Sequence, residues 1–216
     1  MTFATLDRMA TTLRELLIQR AARLQERPAL TTPDWDSLSY ARFRSRVEGV
    51  ALGLLAQGHP LGGVHSATGG PWDWLAEVAA AASGLTWDPA GSVIPPEILG
   101  GARFNDEAGR GPYHHQEGIV RGDTPFQDGL TQGLMMERLR KINLRLGWDH
   151  ESRVDLPLGR LAEPALRAAL WSALYAGAHA VLLAPASPGT RASRPLPGAP
   201  EPFNAEVFRN FWEPCG

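Results

Sequence analysis

Residues 153–185 read RVDLPLGRLAEPALRAALWSALYAGAHAVLLAP, and this stretch decides the fold. Pro164 suits the first turn of a helix, where its missing N–H costs nothing. Three leucines then recur every fourth residue, which predicts a helix with one core-facing stripe: Leu166, Leu170 and Leu174. Gly177 ends this helix, because glycine readily takes positive φ, and the apolar run at 180–184 predicts a strand buried on both faces. The stretch therefore predicts two parallel strands joined by a right-handed helical crossover.

Length and composition favour a globular protein with one main core. The 216 residues are 44% hydrophobic, which suffices for a sizeable core. The formal net charge of -2, with arginines scattered among acids, argues against a nucleic-acid partner. Cys215 is the only cysteine, so no internal disulfide forms and a reducing compartment fits. Residues 1–10 do not read as a signal peptide and no run reaches membrane-spanning length, so we expect a cytoplasmic protein without a membrane partner.

The rest of the chain adds elements of the same kind. Thr12 and Glu15 have the spacing of a capping box, in which each side chain satisfies a free amide at a helix start. Helices are expected from Thr12 to about residue 27, from a lead-in at 37–39 to Gly58, from Pro71 to Gly84, and over 130–146 with Leu134 facing inward. Short strands are expected at 29–31, 64–67 and 85–87. Residues 1–185 are thus predicted to form an α/β domain, a parallel-rich sheet flanked by helices.

Three segments depart from this regular pattern. Residues 88–129 are rich in Gly and Pro and lack periodicity, which predicts a long irregular loop. Residues 186–202 read as a Pro-rich linker. Residues 203–216 predict a C-terminal helix with an aromatic edge: Phe208, Phe211 and Trp212. That edge either contacts a second copy of the chain or a partner protein, as exposed aromatic residues often do, or docks back on its own domain.

Four phrases occur in the order that one enzyme superfamily shows. LRELLIQRAARLQERPAL (13–30) looks like its opening helix, SLSYARFRSRVEGVALGLLAQGHPLG (37–62) like its "LTY-x-EL" helix, and GGPWDWLAEVAAAASG (69–84) like its "N-x-x-E" helix. LGWDHESRVDLPLGRLAEPALRAALWSALYAGAHAVLLAP (146–185) looks like its "LPL-x-H" segment with the following helix and strand. The chain therefore resembles the N-terminal part of the adenylate-forming superfamily of acyl-CoA synthetases, luciferases and adenylation domains. The resemblance implies the same α/β fold and an ancestry in acyl-adenylate chemistry.

The resemblance fails where ATP would bind. In that superfamily a loop of Ser, Thr and Gly ending in Pro-Lys-Gly cradles the phosphates. The best-matching window, FNDEAGRGPYH at 104–114, has Tyr and His after its proline, and its two acidic residues would repel a triphosphate. The degenerate nucleotide-loop positions are Asp106, Glu107, Pro112, Tyr113 and His114. Arg160 stands at the position of the substrate-gate histidine, and the superfamily's later motifs and C-terminal domain have no counterpart, so the resemblance does not imply self-contained adenylation.

Three further groups of residues admit a functional or a structural interpretation. The first group consists of Asp106, Glu107, His114, His115 and Glu117. It is interpreted either as a metal site of hard ligands or as part of a solvated loop. We favour the loop, so no metal is predicted. The second group consists of His65, Asp73 and Glu77. It is interpreted either as an acid–base group or as polar residues on the surface of a helix. The third group consists of five tryptophans: Trp72, Trp74, Trp87, Trp148 and Trp171. They either line an apolar ligand cleft or pack in the core.

The sequence as a whole favours a non-catalytic protein with an enzyme-like fold. We expect a pseudoenzyme that acts as a binding or assembly protein, with no cofactor and no catalytic residue. Tyr113, His114 and Arg160 are the positions to test for any surviving site. The alternative is AMP-dependent acyl-CoA ligase-like activity completed by a second chain, and a nonfunctional remnant is the third possibility.

Overall fold

The computed structural model describes residues 9–33, 35–56, 63–101, 120–127, 129–184 and 203–213. The side chains of Asp36, Gly100, Gly101 and Arg160 fall outside this description. The helices are α1 (Leu13–Leu24), α2 (Tyr40–Ala56), α3 (Pro71–Ser83), α4 (Pro96–Gly101), α5 (Gln132–Leu146) and α6 (Pro164–Ala176). The strands are β1 (Pro28–Thr32), β2 (Trp35–Ser39), β3 (Gly63–His65), β4 (Thr86–Trp87), β5 (Ser92–Val93), β6 (Pro125–Gln127), β7 (Leu130–Thr131), β8 (Arg153–Pro157) and β9 (His179–Leu183).

The stretch that decides the fold forms the predicted unit of two parallel strands and a helix. β8 and β9 pair in parallel over five residues, from Arg153 opposite His179 to Pro157 opposite Leu183, with α6 between them. The sheet continues from β9 to a parallel β1 and an antiparallel β2, in the order β2-β1-β9-β8. β3 lies between β4 and β5 in a second, wholly parallel sheet, and β6 and β7 form a hairpin. The parallel-rich α/β fold predicted from the sequence is confirmed.

Helix ends follow local chemistry closely. The Thr12 hydroxyl accepts the Glu15 N–H at 3.1 Å, as the capping-box spacing predicts. The Glu15 carboxylate accepts the N–H of Thr11 at 2.7 Å, so half of the box is formed and the other half is displaced by one residue. Gly84 and Gly177 end α3 and α6 in the left-handed conformation, with φ of 75° and 83°.

Three predictions need correction. Residues 37–39 lie in β2 instead of leading into a helix, because Leu38 pairs with Leu30 of β1. Leu134 is 41% exposed, because the adjacent Met135 takes the core-facing position on α5. The stretch 88–129 contains β5, α4 and β6, short elements held by long-range partners that local periodicity does not reveal: Ser92 pairs with Val64 of β3, for example.

The core is centred on α6, whose neighbours surround it. Trp171 is fully buried and meets Trp74 and Phe126 edge-to-face, with ring centroids 4.9 and 5.5 Å apart. α6 packs on α1, α5, β9 and the C-terminal segment, so even Ser172 is buried, its hydroxyl donating to the Ala168 carbonyl at 2.7 Å. Of the five tryptophans considered above, Trp74, Trp87 and Trp171 are buried and Trp72 and Trp148 are partly buried.

The C-terminal segment, residues 203–213, docks on its own domain. Instead of the expected helix it forms a 3-10 turn, Ala205–Phe208, followed by bends. Phe208 and Phe211 are buried, and the Trp212 indole N–H donates to the Pro164 carbonyl at 2.7 Å. Within the single chain this aromatic edge therefore lies against its own domain, and a contact with a second copy or a partner protein stays a prediction. Among the described helices, none is both long and apolar enough to cross a bilayer.

Candidate functional site

A cavity of about 250 Å³ lies where β3, β4 and β8 end. In open α/β sheets the carboxyl ends of parallel strands form the usual ligand crevice. β3 ends at His65 and β4 at Trp87, and the turn after β8 brings Leu161 to the same place. The walls comprise His65, Ser66, Asp73, Trp74, Glu77, Trp87, Pro89, Leu161, Ala162, Arg167 and Leu170. The structure therefore brings together the three residues of the acid–base hypothesis, His65, Asp73 and Glu77.

Asp73 holds the loop that leads from β3 into α3. Its Oδ1 accepts the hydroxyl of Ser66 at 2.6 Å and the hydroxyl and N–H of Thr68 at 2.7 and 2.9 Å. Its Oδ2 accepts the N–H of Gly69 at 2.9 Å. A carboxylate has about four acceptor positions, so this carboxylate is almost saturated by its own loop. Asp73 acts here as a structural anchor at the start of α3.

Glu77, one turn further along α3 than Asp73, forms a buried ion pair with Arg167 of α6. Glu77 is 2% exposed, and Arg167 donates to both of its carboxylate oxygens at 2.7 Å. The Trp171 indole N–H adds a third donor to Glu77 at 2.7 Å, and Gln127 accepts from Arg167 at 2.6 Å. Such a bidentate, fully partnered pair tolerates burial, because hydrogen bonds replace the lost water. Both charged groups therefore serve as structural hydrogen-bond partners of each other.

Two aromatic rings flank the Arg167 guanidinium. Its central carbon lies 4.8 Å from the Trp212 ring centroid and 5.9 Å from that of Trp87. Cations bind the faces of indole rings through the negative charge of the π-system. The C-terminal segment thus contributes a ring to the wall that holds the ion pair, and links the cavity to the docking of residues 203–213.

His65 differs from the other polar residues of the cavity. Its Nδ1 is buried and has no hydrogen-bond partner among the described residues. Leaving a buried polar atom unsatisfied costs about 1–3 kcal/mol, so such an atom at a cavity wall is a candidate for contact with a ligand. The ring as a whole is partly buried.

The charges around the cavity do not suit a polyphosphate. The lining contains two carboxylates, Asp73 and Glu77, and one guanidinium, Arg167, which gives a formal sum of -1. Anions entering a confined space near net negative charge are repelled more strongly than in water. Lys141, the only lysine of the sequence, lies on α5 and pairs with Glu137 at 2.7 Å, and it does not line this cavity.

The other predicted site residues are placed as follows. Residues 102–119 lie outside the described residues. This range contains the degenerate nucleotide-loop positions Asp106, Glu107, Pro112, Tyr113 and His114. It also contains His115 and Glu117, which belong to the metal hypothesis. The backbone of Arg160 ends a 3-10 turn, Leu158–Arg160, next to two residues that line the cavity, Leu161 and Ala162. The segment that contains the degenerate substrate-gate position therefore borders the cavity.

Sequence reasoning missed Arg167 and Gln127. Arg167 had one visible signal, since it is the only charged residue in the otherwise apolar helix α6. A charge within a buried helix needs a partner, which would have pointed to an acid on a neighbouring element. Gln127 had no such signal, because it lies in a three-residue strand within the stretch expected to be irregular.

Comparison with known proteins shows the fold. No family model matches the chain, and no curated protein matches its sequence. The N-terminal subdomain of Klebsiella oxytoca NpsA, solved with 3-hydroxybenzoyl-AMSN, aligns with a TM-score of 0.60 and 13% identity, covering 88% of this chain and 57% of that one. NpsA-ThdA, an artificially fused adenylation-PCP di-domain from the same organism, gives 0.59 and 13%, covering 85% and 41%.

A third structure agrees with these two. The N-terminal domain of Mycobacterium tuberculosis FACL13 gives a TM-score of 0.56 and 14% identity, covering 81% of this chain and 57% of that one. The chain spans about half the length of the structures it matches, 41 to 57% in these three. Its fold is that of the N-terminal domains of adenylate-forming enzymes, as the resemblance of the sequence implied.

Proposed function

We propose that this chain is a non-catalytic binding protein on an acyl-CoA-synthetase-like fold, with the cavity beside His65 as its ligand site. One observation carries the proposal: each charged side chain of the cavity is already engaged in the structure. Asp73 is bonded by its loop, and Glu77 and Arg167 neutralise each other. A catalytic acid or base has to exchange a proton with the substrate, and groups held this way are poorly suited to it. Among the described residues His65 Nδ1 has no hydrogen-bond partner, and because this atom is buried, the ring has to turn before a ligand in the cavity reaches it.

The walls define the class of ligand. Trp74 and Trp87 line the cavity with the small exposed parts of their rings, 4% and 6%, which favours contact with an aromatic ring. The His65 ring offers a hydrogen bond once its buried Nδ1 turns towards the cavity, and the net negative charge of the lining favours a neutral or cationic molecule over an anion. A volume of about 250 Å³ is below the usual range of drug-sized pockets, about 300–1,000 Å³, so the ligand is small. A single ring with one uncharged or basic polar substituent meets these conditions.

The second candidate is a ligase subunit that a second chain completes. The observation in its favour is that the similar NpsA subdomain was solved with 3-hydroxyanthranilyl-AMSN, 3-hydroxybenzoyl-AMSN and anthranilyl-AMSN. A domain of this fold therefore holds such a compound without the rest of the enzyme in that protein. On this hypothesis the present chain would bind an aryl acid together with ATP, in contrast to the ligand class derived above.

The test compares three ligands of equal size and different charge: benzamide, benzylamine and benzoate. With the full chain labelled at histidine ring nitrogens, we expect benzamide and benzylamine to shift the His65 signals in NMR titrations, and benzoate to have little effect. His65→Leu should abolish the binding, whereas His150→Gln should leave it intact, because His150 is exposed and outside the cavity.

The same titration with ATP and Mg²⁺ separates the two candidates. The binding-protein proposal expects no ATP-dependent response of the cavity and no pyrophosphate release. Benzoate binding that ATP strengthens, or pyrophosphate release on addition of a partner chain, would favour the ligase subunit. A lack of response to all three ring compounds would exclude the cavity as the ligand site.

A further inference from the structure

A second, larger groove lies between α1, α5 and the end of α6. Its volume is about 660 Å³, and it shares no lining residue with the cavity beside His65. Part of its lining is apolar: Met9 is exposed, and the buried Leu16 and Met136 contribute small parts of their side chains. The remainder is dominated by arginines: Arg20, Arg23 and Arg140. The combination of apolar surface and guanidinium groups defines a candidate site for an amphipathic anion.

Arg20 is the most informative residue of this groove. One of its terminal N–H groups donates to the Tyr175 carbonyl, and its guanidinium carbon lies 5.8 Å from the Tyr175 ring centroid. Its Nε is buried without a hydrogen-bond partner among the described residues. Arginine has five donors, and here the described part of the chain satisfies only one of them.

Arg20 also has no acidic partner among the described residues. None of the ion pairs formed by described residues includes it. Burial lowers the pKa of the guanidinium, Tyr40 and Tyr175 raise it, and the neighbouring positive charge of Arg23 lowers it further. Buried charges are normally paired, because an unpaired one loses its hydration without compensation. Arg20 is therefore a partly buried cation that the described residues stabilise only in part.

The groove as a whole carries excess positive charge. Its lining holds three arginines and one acid, Glu137, which gives a formal sum of +2. Glu137 is bonded to Lys141 at 2.7 Å, so its charge is already offset. An anion would be attracted here, whereas the cavity beside His65 repels it. The two sites therefore select opposite charges.

We propose that this groove binds an organic anion, a carboxylate or a phosphate monoester with an apolar chain, whose head group pairs with Arg20. The planar guanidinium fork matches both head groups in a two-bonded geometry. The apolar chain lies along Met9, Leu16 and Met136, where methionine side chains adapt to different shapes. This inference does not depend on the function proposed for the cavity, since the two share no residue.

The experiment is calorimetric titration of the full chain with octanoate and octyl phosphate. We expect both to bind, and octanol, octylamine and inorganic phosphate to bind at least tenfold more weakly, because each lacks the negative charge or the apolar chain. The arginine Nε–H signal assigned to Arg20 by its loss in Arg20→Gln should shift on titration. Equal binding of octanol, or no binding of either anion, would overturn the proposal.

Variants define the role of the guanidinium. Arg20→Gln should weaken octanoate and octyl phosphate at least tenfold, and Arg20→Lys, which keeps the charge but loses the fork, should fall in between. Arg140→Gln changes an exposed residue at the rim, so it keeps the fold and should weaken binding several-fold. Arg42→Gln on α2 is the matched control outside the groove and should have no effect. Unchanged affinity in both Arg20→Gln and Arg140→Gln would refute the assignment.

A last arm separates a single soluble ligand from a membrane surface. The chain is sedimented with phosphatidylcholine vesicles that contain phosphatidic acid. Because the groove is a recess between helices and not a flat surface, we expect octyl phosphate to bind and the chain to stay in the supernatant when the vesicles are sedimented. Binding to vesicles alone would overturn the proposal of a soluble ligand.

Discussion

At the scale of residues, the ion pair of Glu77 and Arg167 is the most consequential feature of the cavity wall. We expect Glu77→Gln to destabilise the chain by about 3–5 kcal/mol, because the Arg167 charge would stay buried without its partner. The measurement is the free energy of unfolding from urea denaturation. The double variant Glu77→Gln, Arg167→Met should lose less than the sum of the single losses, because it removes both charges.

An exposed pair on α5 serves as the control. Glu137 and Lys141 are also 2.7 Å apart, but both side chains are largely in water. Exposed pairs contribute little, so Glu137→Gln should leave the free energy of unfolding within experimental error. If Glu77→Gln has an equally small effect, the pair in the cavity wall is accessible to water and the Glu77 carboxylate is available for chemistry. That result would weaken the non-catalytic proposal directly.

A second prediction at this scale concerns His179 in β9. Burial, then the positive charge of Arg153, lower its pKa below the usual 6.5, although Asp155 opposes them, and Nε2 lies 2.8 Å from the Thr31 hydroxyl. The unfolded chain therefore binds a proton at a pH where the folded chain does not. The free energy of unfolding should therefore carry no penalty from His179 above pH 6.5, and it should decrease as the pH falls from 6.5 towards the lowered pKa.

Thermal unfolding measured between pH 7.5 and 5 tests this dependence. His179→Asn removes the titrating ring and should flatten the profile over this range. His150→Asn, which changes an exposed ring in the turn before β8, should keep the slope of the parent chain. A parent profile without an acid slope, or one that His179→Asn leaves unchanged, would contradict the prediction.

At the scale of elements, the second sheet depends on a close approach of backbones. A Cβ placed on Gly91 would lie 2.1 Å from the carbonyl oxygen of Gly63, at the start of β3. Backbone atoms cannot move aside as a flexible side chain can, so Gly91→Ala should force β5 away from β3. Overpacking of this kind costs about 1–3 kcal/mol, and the shift would also disturb the cavity wall at Pro89.

The matched control is Gly159→Ala in the 3-10 turn, where an added Cβ meets nothing within 4 Å. We expect this variant to unfold at the temperature of the parent chain, whereas Gly91→Ala unfolds earlier and binds benzamide more weakly. Equal behaviour of the two variants would show that β3 and β5 approach less closely than the structure describes.

The same comparison of elements explains how far the sequence predicts the molecule. The unit of β8, α6 and β9 could be predicted, because its pattern of leucines and its glycine stop are local. β2 could not, because residues 37–39 become a strand only by pairing with β1. The residues of the cavity were predicted only as members of separate candidate groups and not as one site. Glu77 and Arg167 are 90 positions apart, and no local pattern links them.

At the scale of the whole molecule, the described chain has the fold of the N-terminal domains of adenylate-forming enzymes, and the C-terminal segment packs onto it. Residues 203–213 cover α6 and α5, with Phe208 near Trp148 at 6.1 Å between ring centroids. The Arg138 guanidinium donates to the carbonyls of Phe211 and Glu213, which fixes the end of the segment to α5. The aromatic edge therefore contributes to the core of the single chain, and contact with a partner stays a prediction.

Replacing Phe208 tests which of these roles the aromatic edge has. Phe208 is 2% exposed, and removing a buried phenylalanine ring costs about 3–5 kcal/mol, so Phe208→Ala should lower the unfolding temperature strongly at every protein concentration. Glu206→Ala, an exposed change on the same 3-10 turn, is the control and should have little effect. Light scattering after gel filtration gives the mass of each variant. If Phe208→Ala kept the stability of the parent but converted an oligomer into a monomer, the ring would serve an interface between chains instead of the core. We expect Phe208→Ala to lose stability without a change of oligomeric state, because Trp212 from the same segment stacks on Arg167 and so links the segment to the buried ion pair of the cavity.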